Sequence, residues 1–146
     1  MAKLDKSDVI KNVFRVLISI SGRKTTTQYA VMTLDTLIKQ LEPQYDFLKH
    51  VQINDDIYSE DSEIVNVMVD INAVAPTEMG KAIHAIITSL NESLGDRAGH
   101  FFIKEVQSTL GDDYVSTMKD MGVDLSLMQL EDEVTKWERM VTRRRK

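Results

Sequence analysis

Read as a pattern of apolar and polar positions, the chain is a series of helical repeats broken near its middle by a stretch with a period of two. From Thr77 to Leu94, Met79, Ile83, Ile86, Ile87, Leu90 and Leu94 recur at helical spacing, with Lys81, His84, Thr88 and Asn91 on the opposite face. Gly95 is a stop signal and Asp96 a fresh N-cap, so a second helix is expected with Ala98, Phe101, Phe102, Val106 and Leu110 inward and Gly111 at its end. Two of the four phenylalanines meet in that turn. A buried aromatic contributes more area than any other side chain, which makes Phe101 and Phe102 the expected centre of the core and residues 64–110 the stretch onto which the rest packs.

Upstream, Ser7 is an expected N-cap for a first helix with Val9, Ile10, Val13, Phe14, Leu17 and Ile20 on one broad face. Val16 and Ile18 widen that face beyond what one neighbour covers, so this helix is either sandwiched between two elements or half of an oligomer interface. Gly22 is its expected end. Thr25 and Gln28 form a capping-box pattern for a second helix, with Ala30, Val31, Leu34, Leu37, Ile38 and Leu41 inward and Pro43 closing it.

Phe47–Ile53 is expected to be a short strand, followed by Asn54–Glu63 with five acidic residues. In Ile64–Val74, apolar residues alternate with Asn66, Asp70 and Asn72. A strand is preferred there over a helix, because Val, Asn and Asp are poor helix formers and Pro76 disfavours helix just before it. After Gly111, Asp112 is the expected cap of a short helix with Tyr114, Val115, Met118 and Met121 inward and Gly122 as terminator. The last helix, from about Ser126, carries Leu127, Leu130, Val134, Trp137 and Val141 at alternating spacings of three and four, a heptad seam. Its flanking positions hold Glu131, Glu138, Glu133 and Met140, which sets glutamate against glutamate in a self-pair of either orientation. Docking on the basic N-terminal third of its own chain is the expected alternative.

These elements predict a mostly α fold, α+β at most: one helical domain over residues 1–146, a bundle of about five helices with a β-hairpin at about 47–74. An all-α bundle is the alternative. Residues 142–146 are expected to be a frayed basic tail.

Composition narrows the chemistry. A chain of 146 residues is long enough to bury one ordinary core. Without cysteine, disulfides, thiolate zinc sites and cysteine nucleophiles are excluded together, which fits a reducing compartment, and a cytoplasmic location is expected. The charged start does not resemble a signal peptide, and the longest apolar run, Val13–Ile20, is interrupted by Arg15 and Ser19, so no membrane span is expected. The net charge of −5 conceals an asymmetry. Residues 1–42 carry +3, residues 43–133 carry −13 and residues 134–146 carry +5, leaving either a basic edge for anions or basic ends lying on an acidic middle.

Candidate chemistry is sparse. Ala75-Pro-Thr-Glu-Met-Gly-Lys-Ala82 has the placement of a phosphate-binding loop, but Ala75 and Ala82 stand where it needs Gly and Ser/Thr, and Glu78 repels phosphate. The acidic stretch lacks the glycine and ligand spacing of a calcium loop. None of the three histidines enters a metal-ligand spacing, so neither metal nor cofactor is expected. Arg23, Lys24 and Thr25, with the free amides of the following helix, make a candidate anion site and the outline of a helix-turn-helix, although the second helix has one basic residue. Glu105 breaks the inward stripe of its helix and is a candidate acid or ligand anchor together with His100. The alternatives for Glu105 are the core's edge or a salt bridge to Lys or Arg. Arg143, Arg144, Arg145 and Lys146 form a basic tail able to touch nucleic acid or an acidic partner.

The expected function is accordingly a non-catalytic helical module for protein interaction or small-ligand sensing, forming a homodimer through its first helix. The alternatives are nucleic-acid or anion binding at the basic turn and tail, and an enzyme built on Glu105 and His100.

Overall fold

The computed structural model of the chain describes residues 5–53, 65–98 and 102–144. Helix α1 (Lys6–Lys24) is the element the others surround: it touches α2 (Thr27–Leu41), α3 (Pro76–Ala98), α4 (Phe102–Leu110), α5 (Asp112–Asp120) and strand β2 (Val65–Val67). Val9, Ile10, Val13, Phe14, Leu17 and Ile20 are all completely buried, and Ile18 nearly so. Of the two readings of its broad apolar face, the sandwich is the one observed. Residues 64–110 are therefore not the organising stretch. Phe102 is buried in the core, as expected, while Phe101 lies outside the described residues.

The domain is mostly helical, as its periodicity predicts, with a two-stranded antiparallel ladder of β1 (Val51–Ile53) and β2 in the register Val51 to Val67, Gln52 to Asn66 and Ile53 to Val65. Both strands are shorter than the sequence suggests. Asp46–His50 and Val69–Ala73 are 3-10 turns. The second turn exists because Asn72 has work elsewhere: its Oδ1 accepts a hydrogen bond from the Ser7 amide at 2.9 Å, and its carbonyl one from Lys6 Nζ at 3.1 Å. The start of α1 is thus capped from a distant loop, whereas Ser7 sits inside the helix and Asp5 is its N-cap residue without a side-chain bond. The acidic stretch 54–64 lies outside the described residues.

Other element ends also move. Helix α1 continues past Gly22 to Lys24, so its last turn holds two cations where the helix dipole favours them, and Thr26, not Thr25, caps α2 by accepting from the Tyr29 amide at 3.1 Å. The inward sets of α2 and α3 are otherwise as expected, with Ala30, Val31, Leu34, Ile38, Met79, Ile83, Ile86, Ile87 and Leu90 buried. Helix α3 runs through Gly95 and Asp96 to Ala98. A glycine inside a helix costs only about 1 kcal/mol relative to alanine, too little by itself to end one, and Asp96 lies within α3 instead of at the start of a new helix. Gly111, not Asp112, is the N-cap residue of α5, and Gly122, at φ +95°, closes that helix as predicted. Gly80 allows α3 to approach the turn after α5, since a Cβ there would collide with the Met121 carbonyl oxygen.

Helix α6 (Leu125–Arg144) packs mainly on α4. Asp124 Oδ1 accepts from the Leu127 amide at 3.1 Å and starts the helix. The helix runs to Arg144, which places cations at its C-terminus. Arg145 and Lys146 lie outside the described residues. No helix among the described residues is long and apolar enough to cross a membrane.

Candidate functional site

Two of the sequence candidates meet, and they satisfy each other. Lys24, at the end of α1, lies 2.9 Å from Glu105 Oε1 on α4, with the lysine largely buried and the carboxylate about two-fifths exposed. The ion pair accounts for a carboxylate on an inward stripe, and it occupies the cation that the candidate anion site needs. Arg23 is exposed, and Thr25 Oγ1 is turned back onto the Ser21 carbonyl at 2.8 Å. His100, the proposed companion of Glu105, lies outside the described residues. Among the described residues no group of three or more His, Asp or Glu is placed to hold a metal. In the loop-like segment at the start of α3, Lys81 Nζ is 3.6 Å from Glu78 Oε1, and Gly80 serves helix packing instead of phosphate contact.

The feature that stands out is α6, which has two apolar faces and buries only one. The buried face is Leu125, Met128 and Gln129. Gln129 Oε1 accepts from the Lys104 amide at 3.1 Å, supplying the cap that the first turn of α4 needs, and its Nε2 donates to Glu133 Oε1 at 3.2 Å. On the α3 side, Asn91 Nδ2 donates to Asp132 Oδ1 at 2.9 Å, and Lys136 Nζ sits 2.8 Å from Asp132 Oδ2. Asn91 is thus drawn inside although its position in the repeat is polar, because α6 lies over it. The same pair borders a recess of about 170 Å³ between α3 and α6, into which Thr88, Thr135 and Arg139 also point, and Asn91 Oδ1 is buried there without a protein partner.

The other face is the heptad seam. Leu127, Leu130, Val134 and Trp137 are 50, 56, 47 and 62 % exposed, so the seam does not dock on the N-terminal third of its own chain. Packing decided this: Leu125 and Met128, which lie outside the seam, are buried where α6 meets α4, and two side-chain hydrogen bonds fix that rotation of the helix. Eight large hydrophobic side chains are exposed among the described residues, and five of them, these four and Met140, belong to α6. Trp137, Glu138, Arg139 and Met140 are exposed in succession, although Arg139 still borders the recess beside α3.

Comparison with protein-family models, with curated proteins and with solved structures finds no match to this chain.

Proposed function

We propose that the chain is a non-catalytic helical module that binds another protein through the exposed face of α6. The observation that carries this reading is the unbroken row Leu127, Leu130, Val134 and Trp137, which is left in water although its spacing is that of a helix–helix seam. Solvent exposure of single apolar residues is ordinary, but a continuous row ending in a tryptophan is a surface that association stabilises.

Competing readings have less support. With Glu105 paired to Lys24, the enzyme reading keeps no demonstrated partner group, and the basic turn keeps Arg23 as its exposed cation. Lys39, the basic residue of α2, lies 2.9 Å from Asp35. The apolar face that motivated a homodimer through α1 is covered within the chain. Small-ligand sensing retains one supporting feature, the recess at Asn91. An intracellular, reducing setting fits the absence of cysteine.

The test is site-specific photocrosslinking of the whole chain in its own cell. A photoreactive residue at position 134 should give an adduct of defined mass that the same group at exposed Gln40 does not, and the substitution Leu130→Glu should abolish it. Equal adducts at both positions, or none at 134, would contradict the reading.

A further inference from the structure

We propose that the occupant of the α6 face is an amphipathic helix of a different protein, whose apolar row is flanked by lysine or arginine. This rests on the interaction reading above and adds the chemistry of the partner. Along the row, positions Leu127, Leu130, Val134, Trp137 and Val141 span about 21 Å at the helical rise, so the partner segment needs about two heptads. Glu131 and Glu138 border the row on one side and Glu133 on the other, all three exposed. The cations of the same stretch, Lys136 and Arg139, fall on the opposite side of the helix, and Lys136 is held by Asp132. A helix approaching the middle of the apolar row therefore meets Glu131 and Glu138 on one side and Glu133 on the other, with Ser126 and Met140 to either end of Glu133.

That border discriminates among occupants. A second copy in parallel would bring Glu133 against the other Glu138, and in antiparallel would bring Glu131 against it, so like charges face each other either way. A helix with Lys or Arg opposite Glu131, Glu133 and Glu138, and an aliphatic residue opposite Met140, is complementary to this face in charge and polarity. Trp137, large and exposed, is the anchor such a helix covers.

The experiment uses the full chain and two synthetic peptides of about three heptads, identical in their Leu/Val row and free of tryptophan, one with Lys and one with Glu at every flanking position. Trp137, the single tryptophan, reports binding through its emission and its protection from acrylamide. The Lys peptide is expected to bind at least about tenfold more tightly than the Glu peptide at low salt, with the gap narrowing as salt rises. The triple substitution Glu131→Lys, Glu133→Lys, Glu138→Lys should invert that preference, and Leu130→Glu with Val134→Glu should abolish both. Equal affinities, or a preference for the Glu peptide, overturn the basic partner while leaving the interaction reading intact. If neither peptide protects Trp137, the face does not accept a helix and the interaction reading falls too. Self-association that buries Trp137 at working concentration overturns the basic partner in favour of a second copy.

Discussion

Gly80 and Gln129 are small details of sequence that hold two helix junctions together. At Gly80, α3 lies against the Met121 carbonyl with no room for a methyl group. Backbone on both sides of the contact means that neither can yield cheaply. Gly80→Ala is expected to destabilise the fold by at least about 1–3 kcal/mol in urea unfolding, although alanine is the better helix former. Gln129→Ala removes the acceptor for the Lys104 amide and should cost about 1 kcal/mol, read in the same way. By contrast, Lys24 and Glu105 form a partly exposed pair, and a double-mutant cycle should return a coupling of about 1 kcal/mol or less that declines with salt. A salt bridge to Lys or Arg was among the readings the linear pattern allowed for Glu105, and Lys24 supplies it; the roles of Gly80 and Gln129 were not visible there. Gly80 resembled a fragment of a phosphate loop, and Glu105 an intruder in a stripe, because in each case the explaining group comes from another element.

Among the described elements, periodicity identified the α-helices and nearly all of the inward residues of α1 to α5, because each has one dominant apolar face, but it read the 3-10 segments as strand. It misplaced ends wherever a cap arrives from elsewhere, as Asn72 does for α1. It misjudged α6 for a different reason. That helix carries two apolar sets, and the longer, more regular one faces solvent, so spacing alone pointed to the wrong face. The two faces should separate cleanly by mutation. Met128→Ala is expected to cost about 2–5 kcal/mol as a core truncation, whereas Leu130→Glu with Val134→Glu should leave stability within about 0.5 kcal/mol, both read by thermal or urea unfolding. Equal losses at both sites would mean that the seam is part of the core.

For the molecule as a whole, the apolar face of α1 is enclosed by its own chain, and among the described residues α6 holds most of the exposed large apolar side chains. The charge asymmetry seen in the sequence takes a local form: the Lys24–Glu105 pair binds the basic first helix to the acidic middle, while glutamates line the α6 row. Such a chain should be a monomer of 16.6 kDa on its own, because glutamate faces glutamate when two copies meet along the row. The central claim, that this row stands open in the isolated protein, is tested most directly by acrylamide quenching of Trp137, the single tryptophan. Quenching close to that of the urea-unfolded chain, and unchanged on dilution, is expected. A strongly protected tryptophan, whether covered by its own chain or by a second copy, would contradict it.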